Sequence, residues 1–186
     1  GIAIHGGAGT ILQSSMTPEK EQAYKQALQN AMDSGYLALK NGQSALDAVE
    51  IAVASLEDSP LFNAGKGSVF TAEGTHEMDA SIMEGKHLNA GAVSSVKGVK
   101  NPIGLARKVM EKSGHVFLTG DGAETFAKQT NSEMAEPDYF FDQFRYDQWQ
   151  EVKGTDNFQL DHATGKEQKF GTVGAVALDQ EGNIAA

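Results

Sequence analysis

An apolar, β-branched run, Thr172-Val173-Gly174-Ala175-Val176-Ala177-Leu178-Asp179, starts directly behind Gly171 and ends in a polar turn at Asp179-Gln180-Glu181-Gly182-Asn183. It reads as a strand that the chain reaches only after a long series of helices and shorter apolar runs. Its first residue is a threonine preceded by a glycine, and that junction suits a chain that cuts itself. The Thr172 hydroxyl can attack the Gly171 carbonyl through a five-membered ring, an ester replaces the amide, and water releases a new N-terminus. The glycine tolerates the distorted backbone that attack on a planar amide needs. A free α-amine at Thr172 has a reference pKa of about 7.7–8.0, so one residue would supply both nucleophile and base near neutral pH. The same residues also suit a plain strand start, and the junction alone does not choose between the two.

The rest of the chain orders itself around turn and capping signals. Residues 2–4 are a short strand, and His5-Gly6-Gly7-Ala8-Gly9 is a permissive turn. Thr17-Pro18-Glu19 opens a helix with a hydroxyl cap, proline at N1 and acids in the first turn, and Asn41-Gly42 closes it. Tyr24, Leu28, Ala31, Gly35 and Leu39 mark its buried stripe. Ser44 with Asp47 forms an acidic capping box for a second helix, with Leu46, Val49, Val53 and Leu56 inward and Pro60 as the stop. Ser68 to Thr71 is expected as a short strand. His76 to Met83 and Leu88 to Val96 are expected as hairpin arms around Glu84-Gly85-Lys86-His87. Asn101-Pro102 starts a third helix running to about Lys112, residues 115–119 form a strand, and another helix starts near Ala123. Residues 133–153 are aromatic, charged and helical in part, and form a packing surface under a subunit or linker. Residues 154–169 are polar with little periodicity and are expected as a mobile linker. This order fits an α/β sandwich of mostly antiparallel strands with helices in two outer groups.

Composition removes several classes of function. The net charge is −10 and no helix carries a basic stripe, which argues against nucleic acid and anionic membranes as partners. The absence of cysteine excludes disulfides, thiolate metal sites and cysteine nucleophiles. No apolar run approaches spanning length, and no signal peptide is visible. Cytoplasm is the expected location; export stays open because the chain starts at Gly1 without a Met. The apolar end at Ile184-Ala185-Ala186 leads to the expectation that the working protein continues past Ala186.

Other candidate motifs fail on spacing. His5-Gly6-Gly7-Ala8-Gly9-Thr10 lacks the GxGxxG pattern, and no helix follows it at once. Around Gly65-Lys66-Gly67-Ser68, Pro60 and Leu61 occupy the places of a P-loop's first glycine, and Gly67 stands where Ser or Thr is needed. The five histidines do not pair at ligand spacing, so His76, His87 and His115 read as surface or satisfied groups. Glu77 and Asp79 share one face of a strand and read as a polar face rather than a catalytic pair.

Six segments taken in order carry a resemblance. They are Ile4-His5-Gly6-Gly7-Ala8-Gly9, Ser59-Pro60-Leu61-Phe62-Asn63-Ala64-Gly65-Lys66-Gly67, His76-Glu77-Met78-Asp79-Ala80, Asn101-Pro102-Ile103 with Ala106 to Met110, Gly120-Asp121-Gly122-Ala123-Glu124, and Gly171 to Asp179. Together they resemble the plant-type L-asparaginase / isoaspartyl peptidase family of threonine N-terminal nucleophile hydrolases, over nearly the whole chain. The resemblance implies a four-layer αββα sandwich, here lacking much of its C-terminal part. It implies one domain in which 1–171 is the α-subunit part, with a linker at about 154–171, and 172–186 is the start of a β-subunit. Autocleavage between Gly171 and Thr172 would leave Thr172 as nucleophile, and the products would assemble as an (αβ)2 homodimer. The implied reaction is hydrolysis of isoaspartyl dipeptides and L-asparagine to release aspartate.

The resemblance further implies that Asn63 lies near the nucleophile and that Gly6 and Gly7 belong to a loop linked to cleavage. It implies a sodium ion held by the main-chain carbonyls of Leu56, Glu57, Ser59, Phe62, Ala64 and Lys66, and no organic cofactor. At the place of Lys66 the family usually has an apolar residue; the carbonyl survives that change, and the ammonium counts against cation binding. The residues that grip substrate and form the oxyanion hole would lie past Ala186. A glycosylasparaginase and an uncleaved, non-catalytic sensor or binding module of the same fold are the alternatives. The Gly-Thr-Val-Gly-Ala-Val junction favours the first reading over the glycosylasparaginase.

Overall fold

The structure is a computed structural model and describes residues 1–7, 16–154 and 172–186. Strand β1 (Ile2–His5) leads to helix α1 (Pro18–Lys40). The Thr17 hydroxyl accepts the Lys20 N–H at 3.2 Å, and α1 closes at Asn41 before Gly42 turns at φ +80°. Helix α2 (Ala45–Glu57) starts on the reciprocal capping box of Ser44 and Asp47. Small residues let these elements meet closely. A Cβ on Gly35 of α1 would fall 2.4 Å from the Ile2 side chain and 2.9 Å from the Ala48 carbonyl oxygen of α2.

Strand β5 (Gly174–Leu178) pairs antiparallel with β1, placing Ile2 opposite Ala177 and His5 opposite Gly174, and with β6 (Ile184–Ala185) on its other side. Ala175 and Ala177 are buried against α2, while Val176 and Leu178 face outward, as alternation along a strand requires. A second sheet holds β2 (Met78–Met83) and β3 (Ala90–Val96) as an antiparallel hairpin, with β4 (Phe117–Thr119) parallel to β3. The Glu84 carboxylate organises the hairpin turn by accepting the N–H groups of Lys86, His87 and Asn89. These bonds hold its carboxyl below the usual range. Helices α3 (Pro102–Lys112) and α4 (Gly120–Gln129) cover this sheet. The two sheets touch where Met83 and Ala186 exchange backbone bonds of 2.8 and 3.0 Å. One apolar cluster joins both halves, with Val49 and Val53 of α2 beside Ile82, Val93, Val109 and Ala175. No helix among the described residues is long and apolar enough to cross a membrane.

The structure is a mixed α/β arrangement, as expected, with these differences in detail. Ser68 to Thr71 forms no strand; only Phe70 makes a bridge, to His76, because Ser68 is turned toward the His76 ring. The hairpin arms begin two residues later than expected, at Met78 and Ala90. In the first arm an irregular register between Met78 and Ala80 interrupts the pairing; in the second, Leu88 at φ 61° and Asn89 belong to the Glu84 turn. Residues 133–153 contain two helices, α5 (Pro137–Phe140) and α6 (Gln143–Val152). The expected linker, apart from Gly154, lies outside the described residues, as does Gly171.

Candidate functional site

A cleft of about 760 Å³ opens between the two sheets. Its walls include Val49 and Val53 of α2, Asp79 and Ser94 of the second sheet, and Gly174 and Ala175 of β5. Thr172 stands at the head of β5, is exposed, and lines this cleft. Asn63 and Ser68 line it as well. The head of β5 is held in place by β1, whose last residue, His5, stands opposite Gly174.

The segment after α2 builds a wall of the cleft that Thr172 lines. It runs through Phe62, only 2% exposed and edge-on to Tyr24, to a 3₁₀ turn at Gly65–Gly67. Burial pushes the Tyr24 hydroxyl up to about 12. Gly65 has φ +51°, and a Cβ there would fall 2.3 Å from the Glu57 carbonyl oxygen. A Cβ on Gly67 would fall 2.2 Å from the Phe62 carbonyl oxygen. Only glycine lets the turn close so tightly on these carbonyls. The Leu56, Phe62 and Ala64 carbonyls accept backbone N–H groups, among them those of Ser59, Ala64 and Gly67. The Asn63 amide oxygen accepts the Val69 N–H at 3.0 Å, which fixes its amide plane at the cleft. The Lys66 ammonium lies over the Tyr139 ring, 5.3 Å from its centroid.

Glu57 is a buried carboxyl of this region. One oxygen accepts the Ile103 N–H at 3.0 Å, near the start of α3, and the other has no partner among the described residues. Burial raises its carboxyl from 4.5 to about 8, against the opposing pull of the Ile103 N–H. His76 is also buried, and its Nδ1 lies 3.2 Å from the Ser68 hydroxyl and 3.1 Å from the Ser68 carbonyl oxygen. Desolvation holds its imidazole below the usual histidine range. Behind this pair, Phe70, Phe141, Tyr146 and Trp149 pack ring to ring, so the aromatic stretch of α5 and α6 backs the site. Arg145 of α6 reaches in from the same side, 2% exposed, and donates from Nε to the Gly67 carbonyl at 3.1 Å.

The structure therefore brings Thr172, Asn63 and the 56–67 turn to one place. Gly6 and Gly7 are not among the described residues that line the cleft; a Cβ on Gly6 would meet Leu28 at 2.9 Å and Phe62 at 3.0 Å, so Gly6 packs behind the turn. His76 is satisfied, as expected, and Glu77 and Asp79 are polar-face groups: Glu77 pairs with Lys97 at 3.3 Å and Asp79 accepts the Ser95 N–H at 2.9 Å. No cluster of His, Asp or Glu suited to a metal ion occurs among the described residues. Sequence reasoning missed Ser68 as a cleft residue and Arg145 as an anchor. The available signal for Ser68 was a serine between the glycine turn and the only histidine of the hairpin's first arm. An exposed threonine that shares a cleft with an amide and a serine is a candidate nucleophile toward a carbonyl group.

Comparison with known proteins places the chain in a family. The model of the asparaginase family matches residues 1–186, and the chain belongs to that family. It is 48% identical to the isoaspartyl peptidase of Salmonella typhimurium over all of its own length and 60% of that protein. It is 46% identical to the plant-type L-asparaginase of Thermococcus kodakarensis, covering 99% of the chain and 61% of the relative. To the isoaspartyl peptidase/L-asparaginase of Rattus norvegicus it is 44% identical, covering 99% of the chain and 53% of the relative. The chain thus spans little more than half of the length of these curated relatives.

Proposed function

We propose that this chain carries the nucleophile half of a threonine hydrolase that releases L-aspartate from isoaspartyl dipeptides and L-asparagine. The observation that carries the reading is Thr172 at the head of β5, exposed into a cleft that it shares with Asn63. The names of the relatives supply the substrate class.

In this reading the chain cleaves itself at Gly171-Thr172, residues 1–171 become the α-subunit and 172–186 open the β-subunit. The freed α-amine takes the proton of the Thr172 hydroxyl as the oxygen attacks the side-chain carbonyl of substrate. The acyl-enzyme releases ammonia or an amino acid, and water frees aspartate. Asn63 orients groups at the nucleophile, and Gly6 and Gly7 shape the segment that backs Phe62. Two sheets between two helix groups are compatible with a four-layer αββα sandwich, and an (αβ)2 dimer is the expected assembly. The main-chain carbonyls of Leu56, Glu57, Ser59, Phe62, Ala64 and Lys66 would hold a sodium ion that stiffens the turn. Oxygen donors suit a hard cation, and the glycine-tight wrapping over the Glu57 and Phe62 carbonyls fits such a cage.

The test is the full-length protein and its Thr172→Ala variant, followed by denaturing electrophoresis and by turnover of β-aspartyl-leucine, asparagine and a glycosylated asparagine. The expected outcome is two fragments and aspartate release from the first two substrates, with at least a thousandfold loss of both in the variant. A variant that still processes and turns over rejects the mechanism. Turnover of the glycosylated substrate alone would favour a glycosylasparaginase, and a permanently uncut wild-type chain a non-catalytic module.

A further inference from the structure

Ser68 has a hydroxyl that the scheme above leaves without a task. It lines the Thr172 cleft, yet the residue is 4% exposed and its only side-chain partner among the described residues is His76. The geometry around His76 fixes which way the serine proton points. Nδ1 faces two oxygens of one residue, the Ser68 carbonyl at 3.1 Å and the hydroxyl at 3.2 Å. A proton on Nδ1 is shared by both oxygens. A lone pair there would serve only the hydroxyl and would face the lone pairs of the carbonyl. Nδ1 is therefore the protonated nitrogen, and the Ser68 oxygen is an acceptor toward His76. The serine's own O–H then has no acceptor among the described residues, and the residue lines the cleft. Phe70 at 4.2 Å and Phe140 at 6.0 Å between ring centroids clamp the imidazole, so its orientation is set by packing. The next residue, Val69, donates its N–H to Asn63, which fixes the backbone that carries the serine relative to the other polar group of this wall.

We propose that Ser68, oriented by His76, donates a hydrogen bond into the Thr172 cleft to a carbonyl or carboxylate oxygen of the ligand bound there. The proposal rests on the reading of the cleft as the site of aspartyl-amide hydrolysis. Ser68 is then a substrate-contacting residue and His76 its positioning residue. A donor with its proton already aimed costs little reorganisation when an oxygen acceptor arrives.

The experiment uses the full-length protein with Ser68→Ala, Ser68→Thr, His76→Phe, His76→Asn and the Ser68→Ala/His76→Phe double variant. The readouts are kcat and KM for L-asparagine and β-aspartyl-leucine, processing at Gly171-Thr172, and calorimetric titration with L-aspartate. Ser68→Ala is expected to lower kcat/KM about tenfold, the effect of one lost hydrogen bond, while processing goes to completion. Ser68→Thr keeps the hydroxyl and restores activity. His76→Phe keeps the ring and loses the Nδ1 proton, so it reproduces the loss; His76→Asn, with an amide nitrogen near that place, recovers part of it. In the double variant the two losses do not add, because His76 acts only through the serine. Undiminished kcat/KM in Ser68→Ala, or additive losses, overturns the proposal. Failure of the underlying reading shows separately, as a wild type that hydrolyses neither substrate. In that event aspartate binding decides: tenfold weaker binding by Ser68→Ala supports the donor, and equal or absent binding refutes it.

Discussion

Glu57 illustrates how a single buried group can set a pH response. Its folded-state carboxyl is raised to about 8 by burial, from an ordinary value of 4.5. Between those values the folded protein keeps a proton that the unfolded chain releases. The stabilisation is complete below about 4.5 and is lost as the pH rises through about 8. Glu57→Gln mimics the neutral acid and retains an acceptor for the Ile103 N–H. Its Tm should therefore hold nearly level from pH 5 to 8, where the parent Tm falls by about 2–4 °C for each kcal/mol lost. Parallel Tm–pH slopes for the two proteins would show that Glu57 does not titrate in this window. Residue-level roles were the least legible part of the sequence. Thr172 could be nominated because its chemistry is local to one peptide bond. Ser68 could not, because its role depends on a ring eight residues away and on which ring nitrogen carries the proton. The six carbonyls proposed to hold sodium leave no side-chain signal at all, since any residue type supplies that oxygen.

At the scale of elements, the sequence was legible wherever a boundary is written into side-chain chemistry. Thr17-Pro18, the Ser44/Asp47 box and Asn101-Pro102 each mark a helix start that the structure contains, although Asn101 makes no side-chain cap bond. The parallel partnership of β4 with β3 was not legible, because pairing across more than twenty residues has no local signature. Nor was the lost strand at Ser68, where a polar contact outweighs β-propensity. Two elements meet closely at Gly91, where a Cβ would fall 2.1 Å from the Ala106 carbonyl oxygen and 2.6 Å from the Met110 nitrogen. Both atoms belong to the backbone of α3, so the helix itself has to move. Gly91→Ala should cost about 1–3 kcal/mol, read as a lower urea midpoint with an unchanged m-value. A midpoint equal to the parent's would mean that α3 does not sit on β3 as closely as described.

For the whole molecule, the main consequence is that the sequence before the proposed cut and the sequence after it build one sheet. Strand β1 pairs with β5 along its full length, α2 packs on the same strand, and Asp179 accepts the Ala45 N–H at the start of α2 at 3.2 Å. Cleavage at Gly171-Thr172 should therefore leave the two fragments joined. The cleaved protein is expected to run as one species on size exclusion in native buffer and to separate only in denaturant, whereas two native peaks would contradict the sheet. The register also permits a covalent substitute for the bond that the proposed cleavage would break. Ala3 stands directly opposite Val176, both exposed, in a chain with no cysteine of its own. Opposed antiparallel residues have Cα atoms about 4.5–5.5 Å apart, within the span of a disulfide. A cysteine pair introduced there would staple the halves in oxidising buffer and free them on reduction, making subunit cohesion an adjustable property.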